Sequence, residues 1–244
     1  MKSIHVARLL ASIAVAVFLS AGLQAEEAAS AILAKVDSYR EFAKGGFSFD
    51  FTLVDEKGST SVMRVYLDGE GRDSSLGRYR EPKKYARRVV LTVGNAFYVC
   101  DRGMASPIRI TPREMLFGQA SAGDITRIVY SGLYSVESSE RTGDELALRL
   151  RAIPEKGATY ECVDLRVKAE SGKPVQAVCR GPSGSAIKEI SYDRFDMFGE
   201  KELLAGFTIT DSVSRKSSKV TLGGFDRETL PSSSFTVEAM KYAK

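Results

Sequence analysis

Phe47-Ser48-Phe49-Asp50-Phe51-Thr52-Leu53 places a large apolar side chain at every odd position and a polar one at every even position. Successive side chains of a strand point to opposite faces, so this alternation predicts a strand with one dry face and one wet face. Downstream, Asp55-Glu56-Lys57-Gly58 reads as a turn, after which Met63, Val65 and Leu67 alternate with Arg64 and Tyr66. Val89, Leu91 and Val93 follow, ending at the turn Gly94-Asn95. Upstream, Ala29, Ile32, Leu33, Val36, Tyr39, Phe42 and Ala43 recur at spacings of three and four, which predicts an amphipathic helix stopped by Gly45-Gly46. Such a helix needs an apolar surface to lie on, and the odd face of the first strand supplies one.

Farther along, residues 96–100 and 107–110 read as short strands. Thr111-Pro112-Arg113-Glu114 has both capping-box spacing and a proline at the first helical position, which predicts a helix start. A further helical stretch over 124–130 carries Ile125, Ile128 and Val129 on one face. Strand patterning then returns. Leu146, Leu148 and Leu150 alternate with polar neighbours, as do Val163, Leu165 and Val167, and 186–195, 206–212, 219–225 and 235–240 are further strand candidates. No repeat and no low-complexity linker divides the chain. The expectation is one α+β, mainly β domain of about ten strands, a large antiparallel sheet covered on one side by helices.

Ahead of this domain, Lys2, His5 and Arg8 precede the apolar run 9–19, and Leu23-Gln24-Ala25 precedes Glu26-Glu27. That is the layout of a cleavable export signal over 1–25, and eleven strongly apolar residues fall short of the ~20 a spanning helix needs. Cleavage would leave 219 of the 244 residues as one domain over 26–244. Its basic side chains would fall from 35 to 33 against 31 acidic ones, which lowers the net charge from +4 to +2 and argues against nucleic acid as a partner.

The single histidine of the chain, His5, lies in that leader. The working protein would therefore lack the commonest general base and metal ligand. Other reactive motifs are weak. Ser185-Ala186-Ile187-Lys188 matches the spacing of Ser-Lys acyl enzymes, but it opens a strand-like run in which positions i and i+3 point to opposite faces. Asp68-Gly69-Glu70-Gly71-Arg72-Asp73 breaks the calcium-loop pattern, and Gly181-Pro182-Ser183-Gly184 is not a nucleophile elbow. No catalytic residue, metal site or cofactor is expected. Arg78, Arg80, Lys83, Lys84, Arg87 and Arg88, set among Tyr79 and Tyr85, form the densest charge, read either as a solvated loop or as a contact for a headgroup or an acidic partner. Cys162 and Cys179 flank a hairpin turn. A loop over 169–172 would set them opposite each other for a disulfide, a two-residue turn at Ser171-Gly172 would make them diagonal neighbours, and the alternative is two buried free thiols.

The leader, the amphipathic helix, the strand 47–53, the run Glu81-Pro82-Lys83-Lys84-Tyr85-Ala86-Arg87-Arg88-Val89-Val90-Leu91-Thr92-Val93-Gly94-Asn95-Ala96-Phe97-Tyr98-Val99, the segment Gly118-Gln119-Ala120-Ser121-Ala122-Gly123-Asp124 and the later Lys173-Pro174-Val175 together resemble the LolA-like outer membrane lipoprotein-sorting proteins. The resemblance implies an incomplete antiparallel β-barrel whose concave apolar face is lidded by helices and holds acyl chains in the periplasm. Within it, Phe47, Phe49, Phe51, Leu53, Met63, Val65, Leu67, Val89 and Leu91 would line the cup, while Ile125, Ile128 and Val129 would belong to the lid. It further implies a monomer that carries lipoprotein or lipid acyl chains between an inner-membrane exporter and an outer-membrane acceptor. The alternative function is an RseB-like periplasmic sensor that docks on an envelope protein through its surface; a Ser-Lys hydrolase resting on Ser185 and Lys188 is more remote.

Overall fold

The computed structural model describes residues 31–69, 74–101, 103–126 and 129–242. The proposed leader and Ile128 lie outside them. A helix, α1, covers 31–38 and runs into a turn at 39–40, shorter than the periodicity over 29–43 suggests. Fifteen strands follow among the described residues: β1 Phe47–Asp55, β2 Thr60–Leu67, β3 Ser74–Glu81, β4 Val89–Val93, β5 Ala96–Cys100, β6 Ile108–Ile110, β7 Met115–Phe117, β8 Ala120–Ser121, β9 Tyr134–Thr142, β10 Glu145–Ala152, β11 Cys162–Lys168, β12 Pro174–Arg180, β13 Ala186–Phe198, β14 Lys201–Asp211 and β15 Ser217–Asp226. Helix α2 spans Ala122–Thr126 and α3 spans Val237–Met240.

Thirteen strands form one antiparallel sheet in the order β6-β5-β4-β3-β2-β1-β15-β14-β13-β12-β11-β10-β9, and β7 with β8 forms a separate hairpin. The sheet is open, with β6 and β9 at its edges, so the incomplete barrel holds, with more strands than the ten expected. Connections are mostly short hairpins. At the first, Asp55 Oδ1 accepts from the N–H of Lys57 and Ser59, and Gly58 supplies the positive φ of 77° that closes the turn.

Apolar side chains gather on both faces. The larger cluster lies under α1, α2 and the β7–β8 hairpin; Phe47, Phe49, Phe51, Leu53, Met63 and Val65 belong to it, each 3% exposed or less. On the opposite face, Leu76, Val89, Leu91 and Cys100 pack with Phe235 and Met240 of the C-terminal segment. That segment is strapped down by Thr229 Oγ1 donating to the Leu67 carbonyl (2.5 Å) and Ser232 Oγ donating to Asp68 (2.7 Å).

Several expectations are corrected. Residues 111–114 form a turn rather than a helix start. The Glu114 N–H reaches the Thr111 carbonyl at 3.0 Å, and the carbonyls of Pro112 and Glu114 accept from Gly123 and Ala122, so this segment serves the first turn of α2 instead of starting a helix of its own. The helix expected over 124–130 begins two residues earlier, as α2. Residues 235–240 are not a strand: Thr236 Oγ1 caps α3 by accepting from the Ala239 N–H at 3.1 Å. The basic segment is not a loop throughout, since Arg78 and Arg80 lie on β3.

Cys162 and Cys179 are both buried and free. Near the turn, Val167 faces Pro174, the register that would set the cysteines opposite each other. A bulge between Arg166 and Val167 shifts the pairing by one, so Cys162 faces Arg180 and Val163 faces Cys179. A shift of one sends the two side chains to opposite faces of the sheet, which removes the disulfide.

Candidate functional site

The site is the apolar face with its lid. β1 runs along the middle of the sheet, and its odd residues point into the larger cluster, where Phe51 meets the lid ring Phe117 at a centroid distance of 6.5 Å. Phe117 also sits edge-on to Tyr79 at 4.4 Å, whose hydroxyl donates to the Leu116 carbonyl (3.3 Å) and so ties β7 to β3. Ile125 is the apolar tooth of α2, wholly buried against Phe49, Phe51, Leu222 and Phe225.

The rest of the attachment of α2 is polar. Asp124 accepts from the Ser121 N–H (2.9 Å), the Ser121 hydroxyl (2.8 Å) and the Tyr160 hydroxyl (2.8 Å), and forms a buried ion pair with Lys188 of β13. Burial pushes the Asp124 carboxyl up, yet the Lys188 ammonium and these hydrogen bonds outweigh it and hold it below the usual carboxylate value. At the other end of α2, Thr126 Oγ1 and Thr92 Oγ1 of β4 share a hydrogen bond of 2.7 Å, and Ser75 Oγ of β3 donates to the Thr126 carbonyl at 2.9 Å. Gly123 lets α2 lie against Thr159, because a Cβ there would fall 2.0 Å from Thr159 Oγ1.

The chain beyond α2 is held by α1. Asp37 accepts from the N–H groups of Tyr130 (2.7 Å) and Ser131 (2.8 Å) and from the Ser131 hydroxyl. Burial raises the Asp37 carboxyl above its ordinary value despite those bonds. Tyr130 and Tyr192 share a hydrogen bond of 2.7 Å beneath it, and burial drives the Tyr192 phenol up to about 12.

Little empty space remains. The void enclosed by Arg40, Tyr130, Tyr160, Cys179, Tyr192 and Phe207 measures about 40 Å³, and that between Arg40, Ile125 and the β1 phenylalanines about 10 Å³. Both lie well below the ~300 Å³ at which ligand pockets begin, so at these two places the described residues of cup and lid are packed together. A wider groove of about 370 Å³ lies outside the cup, between Asp37, Arg40, Glu41, Phe47, Leu67 and Val129. Arg40 borders all three spaces, with its guanidinium 5.8 Å from the Phe207 ring centre.

The residues expected at the site divide accordingly. Phe47, Phe49, Phe51, Leu53, Met63 and Val65 come together under the lid, and Leu67 packs partly buried at their margin. Val89 and Leu91 do not: they face the C-terminal segment, and Val90 between them points into the cup, because side chains alternate along β4. Ile125 is in the lid, whereas Val129 is 41% exposed at the groove. Among the cations, Arg88 binds Asp101 at 2.6 Å and lies 4.2 Å from the Tyr85 ring centre; Arg80 pairs with Asp50, and Arg78 stacks on Tyr66. Lys83, Lys84 and Arg87 are exposed. Ser185 is exposed on a turn while the ammonium of Lys188 is held by Asp124, so the two do not form a nucleophile and base. Asp124, Tyr160, Asp37 and Arg40 were not among the expected site residues. The one signal for them was Lys188 itself, which shares the inward register of Ile190 and Tyr192 and so required a buried counter-charge.

An open antiparallel sheet whose apolar face is closed by a short helix and a hairpin is the LolA-like fold. A LolA superfamily protein from Nitrosomonas europaea superposes with a TM-score of 0.75 at 24% identity, covering 86% of this chain and 98% of that one. A protein domain from Vibrio parahaemolyticus named for outer membrane lipoprotein sorting superposes with a TM-score of 0.67 at 16% identity, covering 88% and 99%. A family model described as "Uncharacterized protein" matches residues 71–242, and the chain belongs to that family. No curated protein matches the chain. No helix among the described residues is long and apolar enough to cross a membrane.

Proposed function

We propose that the protein is a non-catalytic periplasmic carrier that takes acyl chains of lipoproteins or lipids into its cup when the lid lifts, for transfer from an inner-membrane exporter toward an outer-membrane acceptor. Residues 1–25 act as its export signal in this reading. The observation that carries it is the mismatch between the cup and its lid. The cup is a continuous apolar face, yet among the described residues α2 contributes one large apolar side chain to it and is otherwise fastened by hydrogen bonds and an ion pair.

Polar fastenings exchange with water at small net cost, whereas apolar area exposed on opening costs about 25 cal/mol per Å². An acyl chain that replaces Ile125 and Phe117 against the phenylalanines recovers that cost, at about 0.8 kcal/mol per buried CH₂. The filled cup is then the empty-handed state of the carrier, closed so that its greasy face never meets water. The fold shared with the Vibrio parahaemolyticus lipoprotein-sorting domain supports the choice of cargo.

Native mass spectrometry after gentle extraction tests the reading. The expected result is a fraction of the protein carrying lipid or acylated peptide at one per chain, together with saturable uptake of a fluorescent fatty acid. Protein that is always empty and takes up no acyl probe would overturn it.

A further inference from the structure

We propose that the β3–β4 turn is a docking surface for an anionic phospholipid bilayer. Lys83, Lys84 and Arg87 are exposed on this turn, and none of them has an ion pair among the described residues. The other cations of the segment lie off the turn, with Arg88 bound to Asp101, Arg80 sharing Asp50 with Arg64, and Arg78 on the Tyr66 ring, so the turn itself presents three exposed cations with Glu81 at its start. The turn is rigid. The N–H groups of Tyr85, Ala86 and Arg88 reach the carbonyls of Pro82, Lys83 and Tyr85 at 2.9, 3.1 and 2.8 Å, and the Arg88 guanidinium packs on the Tyr85 ring.

Exposed apolar side chains lie on the elements that follow the turn. Ile108 continues the cup-facing row Val90–Val99–Ile108 to the sheet edge and is 51% exposed. Met115 is 46% exposed next to Leu116, whose carbonyl is bound by Tyr79. Exposed cations with half-buried tyrosine and exposed aliphatic groups are the composition of a membrane-interface surface. The surface lies where β7 meets β3, so docking there would bring lipid headgroups to the margin of the cup.

The proposal stands independently of the carrier reading, and its test uses the purified protein with sedimented vesicles. Each basic residue near an anionic surface contributes about 1 kcal/mol, roughly fivefold in partitioning. Vesicles containing phosphatidylglycerol should retain the protein, and vesicles of phosphatidylcholine alone should retain far less. Retention should fall by about 100-fold in Lys83→Gln/Lys84→Gln/Arg87→Gln and be lost near 1 M salt, where the screening length is about 3 Å. Met115→Ser should weaken it without altering the salt dependence. Circular dichroism of the triple variant, expected to match the parent, separates lost docking from lost folding. Equal retention on both vesicle types, an unchanged triple variant, or capture of an acidic protein partner with no retention on vesicles would overturn the proposal. Uptake of the fluorescent fatty acid in free solution is measured in parallel: its absence beside intact vesicle docking would refute the carrier reading alone.

Discussion

At the scale of single residues, Lys188 and Asp124 decide how the lid is held. Both side chains are withdrawn from water, so removal of one leaves the other charge buried without compensation. Lys188→Met should therefore destabilise the protein by about 3–5 kcal/mol in urea unfolding, and Asp124→Asn added to it should restore much of that loss, because Asn keeps one acceptor oxygen for Ser121 and can turn its amide N–H toward the Tyr160 hydroxyl, without a charge. The pH dependence has a fixed sign. The Asp124 carboxyl is lowered in the folded state, so its stabilisation is complete above its ordinary value near 3.8 and is lost as pH falls through the lower folded value. In Lys188→Met the burial remains while the counter-charge is gone, so the stability deficit of the variant should be largest where Asp124 is ionised and should shrink as pH falls and its carboxyl is protonated, which urea unfolding at a series of pH values reads directly. Of this arrangement the sequence showed only the anomaly of a lysine in a dry register. Asp124, within α2 and 64 residues away, had no local pattern to mark it as the partner.

At the scale of elements, alternation was readable and its interruptions were not. The period of two in β1, β2 and β11 led to correct faces because those strands keep it through their buried length. In β4 four successive residues are buried, since the C-terminal segment covers the second face, so an apolar run alone could not say which of Val89, Val90 and Leu91 looks into the cup. The bulge beside Val167 is likewise silent in the residue pattern, and it alone separates Cys162 from Cys179. Non-reducing peptide mapping after mild oxidation should yield no peptide linking these two cysteines; recovery of one would show that the register of β11 on β12 is otherwise. The capping-box motif at Thr111 misled because both of its warrants are local, and the tertiary demand of α2 for acceptors at Pro112 and Glu114 outweighed them.

At the scale of the whole molecule, the central claim is that the filled cup and a loaded cup are two states of one sheet, separated by movement of α2 and the β7–β8 hairpin. Composition pointed toward a container, in that reactive groups are sparse while aromatic and aliphatic residues are arrayed on strand faces. Whether the container is full was beyond periodicity, which places side chains on a face without saying what meets them. Phe51 measures how much the closed state depends on that packing: Phe51→Ala should cost about 3–5 kcal/mol in urea unfolding and leave a cavity beneath Phe117. The most direct test uses the 2.7 Å contact between the hydroxyls of Thr126 of the lid and Thr92 of the sheet, where a cysteine pair can be introduced. In Thr92→Cys/Thr126→Cys, uptake of a fluorescent fatty acid should vanish on oxidation and return on reduction; uptake unchanged in the oxidised protein would contradict the opening of this lid as the route into the cup.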